Sequence, residues 1–421
     1  MSKKKIAMWH SIRSTFATYA ISALLSIVWI VGDAYAQGPS TERQFDELKS
    51  QIEGFEPPRG RFTVSQDHLD RYFEFNRWLW SEYRMAATYT PTVLMQAGTQ
   101  GGQNNFTANF QHNGLFYWRL LEDTPIGTGG ILVNGFQARQ LSGTTGAEFS
   151  RALGINFFTS ASPDDSDAVA ALYWRHDFPG NVLTLRVGQD EVAAIDDGCR
   201  YACDDTASFL ATPLSSSPVR SLPGSGLSLI ANLSLSPIVG VEVGAGDANG
   251  DGQLNLGRPF HTSELAYAVA LKFTDPFKSI GDGLYKFSIY HVDPTKQGTP
   301  SALGASRGFS IQVDQDVGDV GLFAKYSATS GSTGLARRFA SGGTVWKRPF
   351  GHDEDWLGVG FGWVDSLAPD MSDGYVLETY YRMQLTPLVQ ITADAMLVMD
   401  PATRSGDGVS GVFSFRSTAQ F

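Results

Sequence analysis

From Met85 to Phe421 the chain keeps returning to stretches of about ten residues in which apolar and polar side chains alternate. Among them no apolar run approaches the roughly 20 residues that a membrane helix requires. In NVLTLRVGQD, Leu183, Leu185 and Val187 share one face while Thr184, Arg186 and Gly188 share the other. ALYWRH and YVLETYYRMQL repeat the pattern. Short connections (FPGN at 178–181, Ser236-Pro237, DVG at 316–318, Thr386-Pro387) take turns with long polar ones at 191–224, 247–262, 293–304, 365–374 and 399–408. A soluble sandwich also alternates, but strand length and this punctuation are those of a transmembrane barrel.

Counting strands then fixes the closure. A seventeenth candidate, RALGINFF, would leave an odd number, and an antiparallel barrel with both ends on one side needs an even one. RALGINFF is therefore assigned to a single connection over 141–166. Sixteen strands are expected, beginning near residues 85, 105, 128, 167, 181, 225, 238, 263, 284, 305, 319, 335, 355, 375, 388 and 409. In lipid an open edge would strand unpaired backbone groups, so the sheet must close, and sixteen strands enclose an aqueous lumen. The fold class is thus all-β, a transmembrane antiparallel β-barrel over 85–421 with a short, partly helical lead-in at 37–84, expected on the periplasmic side. That lead-in holds STERQFDELKSQIEGFEPPRG, stopped by Pro57 and Pro58, and SQDHLDRYFEFNRWLWSEYR.

Residues 1–36 read as a signal peptide: Lys3, Lys4 and Lys5, then the apolar ISALLSIVWIVG, then AYA ending at Ala36. They contain four basic residues (Lys3, Lys4, Lys5, Arg13) and one acidic (Asp33). Of the full counts of 32 and 43, that leaves 28 and 42 and a net charge of −14. Nucleic acid is excluded as a partner on that charge. With 45 glycines, 12% aromatics and only 18% charged residues, the composition suits strands, turns and aromatic belts. The expected location is the outer membrane of a Gram-negative-type cell. Export also makes Cys199 and Cys203 a disulfide pair within the 191–224 loop.

GAGDANGDGQLN, residues 244–255, is spelled like a calcium loop. Asp247, Asn249, Asp251 and Gly252 fit, but position twelve is Arg258 where a bidentate Glu belongs. Alternating Asp and Asn at a strand end are turn formers. The expectation is no cofactor, with a loosely bound Ca²⁺ on Asp247, Asn249 and Asp251 as the competing reading. GASRG around Ser306 matches a serine-hydrolase expression, yet such an elbow joins a strand to a helix and no helix pattern follows. No serine pairs with His176, His291 or His352 in the pattern, and no catalysis is expected.

The stretches ALYWRHDFPGNVLTLRVGQDE, VGVEVGAGDANGD, DWLGVGFGWVDS and ETYYRMQLTPLVQITADAMLVMDPA, with the terminal Phe421, resemble the carbohydrate-selective outer-membrane porins of the OprB family. The resemblance covers roughly residues 67–421; Ala393 and Met396 stand where the family usually has Pro and Gln. It implies passive diffusion of small hydrophilic solutes, carbohydrates first. A general or anion-preferring porin and an envelope-anchoring structural barrel are the alternatives. Expected partners are saccharides or similar solutes, outer-membrane lipids, the barrel-assembly machinery through Phe421, and a homo-oligomeric partner.

Strand parity assigns the lumen. With Leu, Val and aromatic residues given to lipid, the opposite face carries Arg119, Tyr173, Arg175, Arg186, Lys286, Lys325, Glu378, Tyr380, Arg382, Gln384 and Asp394. Arg or Lys facing lipid at midplane would cost about 2–4 kcal/mol. Trp118, Trp174, Trp356 and Trp363 are placed in the interfacial belts. Guanidinium and carboxylate groups can hydrogen-bond sugar hydroxyls, and Tyr173 and Tyr380 can stack on sugar rings. Arg175 and Arg186 should stand level across the FPGN turn, with Glu378 and Asp394 as neutralising carboxylates from across the pore.

Overall fold

The computed structural model describes residues 41–53, 60–62, 66–100, 102–155, 165–195, 198–219, 223–250, 264–294, 305–331, 336–366, 373–400 and 408–421. The proposed signal peptide, residues 1–36, and Asp251 lie outside the described residues.

Among the described residues the strands form one closed antiparallel barrel of sixteen. They are β1 (Met85–Gly98), β2 (Phe106–Thr124), β3 (Gly127–Gln140), β4 (Ser166–Asp177), β5 (Leu183–Asp190), β6 (Gly226–Ser234), β7 (Val239–Asp247) and β8 (Leu265–Thr274). The circle continues through β9 (Gly283–Val292), β10 (Ser306–Val317), β11 (Val320–Ser330), β12 (Ala336–Lys347), β13 (Trp356–Ser366), β14 (Gly374–Thr386), β15 (Val389–Met399) and β16 (Val409–Ala419). Each strand pairs with its sequence neighbours, and β1 meets β16 with Thr92 opposite Thr418 and Gly98 opposite Val412. Every strand begins within two residues of its expected start.

The described part of RALGINFF, residues 151–155, is not a strand. Its first residues complete helix α3 (Gly146–Leu153), which Thr145 and Glu148 open with a reciprocal capping box and Gly154 closes in the left-handed region. Phe149 and Leu153 turn inward over the long-loop end of β1 and β16, where Ser410 donates to the Leu153 carbonyl at 3.0 Å.

Parity holds along most strands. In β5, Val187 is 47% exposed and the next residue inward, Arg186, only 3%. Trp356 departs from the expectation. It pairs with Lys347 and Arg382 on the inner face, with the Arg382 guanidinium 3.9 Å over its ring. Its neighbour Leu357 takes the lipid side, so the one-residue offset in DWLGVGFGW moves the indole inside.

The N-terminal segment does not stand clear of the barrel. Helix α1 (Thr41–Glu53) buries Phe45 and Leu48 against Ala86, Leu115, Tyr117, Leu132, Ala171 and Tyr173. Tyr117, Leu132 and Tyr173 alternate with the lipid-facing Trp118, Ile131 and Trp174, so this seat is the inner wall. Helix α2 (Gln66–Tyr83) runs across the short-turn mouth, its Trp80 stacked on Tyr117 at 6.4 Å and lying 4.4 Å beneath Arg119. Between them, Arg61 and Phe62 donate backbone N–H groups to Gln384 (3.0 Å) and Leu385 (2.7 Å) at the end of β14. The Arg61 side chain bonds Asp355 and, at 2.8 Å, the Tyr381 hydroxyl.

Candidate functional site: a constriction built by an in-folded segment

The connection after β5 does not stay outside. Its described parts, 192–195 and 198–219, fold into the barrel and cross the inner wall from β6 to β16. Val192 and Ile195 pack on a floor of small residues, Ala266, Ala268 and Ala270. Further on, Phe209, Leu210, Leu214 and Val219 join Phe323, Phe339, Val345, Val364, Val376, Tyr380, Met396, Val398 and Val412 in one apolar cluster. Those strand residues are inward-facing, and they are apolar because the segment covers them.

Glycines in GVGFG make room for this cover. A Cβ on Gly360 would lie 2.9 Å from both Leu214 and Phe209, and one on Gly362 the same distance from Pro213. Short helix α4 (Thr212–Ser215) nests in that groove.

The polar anchors are charged side chains of the wall bonded to backbone groups of the segment. Glu378 accepts from the N–H groups of Leu210 (2.5 Å) and Ala211 (2.8 Å), one per carboxylate oxygen. Lys325 donates to the Leu214 carbonyl at 2.9 Å. Arg416 donates to the carbonyls of Asp205 and, at 2.7 Å, Ser208. Gln312 holds Gly198 (2.9 Å) and Tyr290 holds Val219 (3.2 Å). Asp316 gathers Tyr201, Lys347 (2.8 Å) and Arg200 (3.2 Å). Ion-assisted bonds of this kind are worth about 1.5–3 kcal/mol each. Cys199 and Cys203 are joined by a disulfide within this in-folded stretch, Cα atoms 5.4 Å apart, and Cys199 is buried in the lumen filling.

Strands β4 to β9 also carry paired charges on their inner face, beside the part of the segment that rests on β6, β8 and β9. Arg175 and Arg186 are direct cross-strand partners, level as expected. Their neutralising carboxylates are local. Asp177 lies 3.1 Å from Arg175 and Asp190 3.3 Å from Arg186, the latter guanidinium also 5.5 Å over the Tyr173 ring. Glu242 sits between Lys286 (2.9 Å) and Lys272 (4.0 Å). Glu378 and Asp394 lie across the barrel as expected but do not balance the arginines, Glu378 being spent on the segment's backbone.

All ten candidate solute contacts therefore face inward, but they divide. Lys325, Glu378 and Tyr380 lie behind the segment, the last with Phe209 edge-on at 4.8 Å. Asp394 is buried near Glu378, and Arg382 covers Trp356. Tyr173 and Arg175 lie under α1, and Arg119 under α2. Arg186 and Lys286 belong to the charged side of the constriction. Lys272 and Glu242, missed in the sequence, share inward parity with Lys286, and that parity was the signal that could have found them.

At the calcium-like stretch, Asp247 accepts from both the N–H and the side-chain amide of Asn249 (2.9 and 3.1 Å), an Asx turn. Among the described residues no group of three or more His, Cys, Asp or Glu side chains is arranged to hold a metal. Ser306 starts β10, and its hydroxyl lies 3.0 Å from that of Thr329.

Residues 225–421 match the family model for carbohydrate-selective porin, OprB family. The chain is similar to porin AaxA of Chlamydia pneumoniae, 25% identical over 313 residues that make up 71% of this chain and 69% of that protein. Porin AaxA of Chlamydia abortus is 23% identical over 282 residues, 63% of this chain and 59% of that one. In fold it is similar to Pseudomonas putida OprB in its high-pH structure, with a TM-score of 0.64 at 12% identity over 87% of this chain and all of that one. The barrel is closed and sixteen-stranded, and over residues 225–421 the chain is similar to the carbohydrate-selective porins of the OprB family.

Proposed function

We infer that this outer-membrane porin passes saccharides and solutes of similar size and hydroxyl content by passive diffusion. The observation that carries the reading is the segment 192–219, which narrows the lumen against a wall of charge-balanced basic groups, Arg186 with Asp190 and Lys286 with Glu242. Paired charges offer many hydrogen-bond donors with little net field. Such a wall suits neutral polyols, which must be held weakly enough to leave again. Diffusion of this kind calls on no cofactor and no catalysis.

The supporting parts of the proposal are export through residues 1–36, assembly signalled by Phe421, and a lipid belt around the outward Leu, Val and Phe residues. Whether copies associate is left to cross-linking in native membranes, where a ladder of bands would mark an oligomer. The four cations Arg175, Arg186, Lys272 and Lys286 against the three carboxylates Asp177, Asp190 and Glu242 favour an anion-preferring porin as the second reading. An envelope anchor would need a free lead-in, whereas α1 is packed inside; co-sedimentation with peptidoglycan would restore that reading. Liposome swelling with mono- and disaccharides beside ions of matched size decides. Sugars should enter faster than matched ions, and equal rates would leave a general porin.

A further inference from the structure

Helix α1 occupies a seat whose chemistry exceeds what a helix needs. The Phe45 ring stands edge-on to Tyr117, centroids 4.8 Å apart and planes at 77°, and the Arg175 guanidinium lies 4.5 Å from the same ring. Leu48, 1% exposed, belongs to the same cluster as Leu132 and Tyr173. The Asn134 amide donates to Thr41 (3.0 Å) and Gln44 (3.3 Å). Without the helix, this stretch of inner wall would offer two phenol rings, a guanidinium and a carboxamide within one patch.

That set matches a pyranose ring. Its C–H face is weakly apolar and packs on aromatic rings, while its hydroxyls accept from guanidinium and amide groups. We propose that the Tyr117–Tyr173–Arg175–Asn134 patch is a saccharide subsite, and that α1 is an internal plug whose Phe45 fills the place of the sugar ring. The proposal rests on the saccharide reading above and adds a second contact, distinct from the constriction at Arg186.

The seat can exchange occupants. Isolated helices of about 12–15 residues are marginal in water, and α1, at 13 residues, is fixed by two buried apolar side chains and a few polar bonds. Sugar and the Phe45 ring exclude each other there, so whatever removes that ring or weakens the seating of α1 strengthens sugar binding by up to the same factor.

The test is single-channel recording of the full-length protein in planar bilayers, with glucose block as the second readout. Leu48→Asp puts a carboxylate into the apolar seat, and it should raise conductance and strengthen glucose block about five-fold. Phe45→Ala removes the ring while Leu48 keeps the helix seated. It should strengthen block with conductance near that of the parent, and it carries the test alone if Leu48→Asp fails to form a heat-modifiable barrel. Raised conductance with unchanged block would overturn the subsite, and unchanged conductance and block in both variants would overturn the plug as well. If the parent fails to admit sugars in the swelling assay while a variant still gains glucose block, the saccharide reading of the constriction falls and the subsite stands.

Discussion

The two halves of the inner wall treat the same strand alternation in opposite ways. Along β10 to β16, inward positions carry Val345, Val364, Val376, Val398 and Val412, and a folded segment seals them from water. Along β4 to β9, inward positions carry Arg175, Arg186, Glu242, Lys272 and Lys286, which pair among themselves and with nearby aspartates. One side is mostly an apolar core anchored by a few charges, the other mostly paired charges with a small apolar floor under Val192 and Ile195. A barrel of this width can be narrowed without adding strands if one half of its lumen is turned into core.

The largest break in that asymmetry should come from Glu378. Glu378→Ala leaves the Leu210 and Ala211 N–H groups without their acceptor, about 3 kcal/mol of lost anchoring. The segment should lift from β13 and β14, and single-channel conductance should rise several-fold with the barrel intact on gels. An unchanged conductance would mean that the apolar cluster holds the segment unaided. Gly360→Leu attacks the same side sterically, since its Cβ alone would lie 2.9 Å from Leu214, and a similar rise is expected.

On the open side the effect is smaller and concerns selectivity. Arg186→Ala takes the guanidinium away from Asp190, so ion preference should shift toward cations, by about two- to five-fold in permeability ratio. Sugar block of the ion current should weaken. Reversal potentials in a salt gradient measure the first and a glucose titration the second. A shift toward anions would contradict a role for the inward Arg186–Asp190 pair in setting the field of the lumen.

The N-terminal clip gives a pH-dependent effect below these. Burial by itself would raise the Asp355 carboxyl, but the bonds from Arg61, Tyr381 (2.7 Å) and the Gln384 N–H (3.1 Å) override it and hold the group below the usual aspartate value of 3.8. A depressed carboxyl stabilises the clip above that value and loses its contribution as pH falls through the lower, folded value. Limited proteolysis should therefore cut near residues 54–65 more readily in acid, well below pH 3.8, and no more readily between pH 5 and 8. Asp355→Asn should reproduce the acid pattern at neutral pH.

The smallest change is expected on reducing Cys199–Cys203. The loop it closes spans a separation of four residues, and short closures restrict the unfolded chain least. Thermal unfolding of the barrel should move by at most a few degrees, while conductance noise from the segment increases. A collapse of the barrel on reduction would show that the in-folded segment governs the whole fold.

Parity made the barrel legible before any coordinates. The outward Leu183, Leu185 and Val187 against the inward Arg186 set face and register, and loop alternation set the even strand number that excluded RALGINFF. Trp356 escaped because one residue of offset reverses a face and an indole suits either side. Of the inward valines, Val398 sits in AMLVM, an unbroken apolar run and a sign that both faces of that stretch are buried, whereas Glu378 and Ser414 interrupt YVLE and GVFSF.

The chain by itself thus determined the strands, their order and which side chains point inward, because a period of two is a local property of the backbone and lipid penalises its violation. It could not determine which inward side chains meet solute. Glu378 and Arg186 are both inward and both buried, yet one holds backbone of the in-folded segment and the other pairs with Asp190 over the Tyr173 ring. That difference arises from contacts between residues 168 positions apart, which no local pattern encodes. The seating of α1 on Tyr173 and Arg175 has the same origin, since an amphipathic helix announces an apolar face without naming the wall that will bury it.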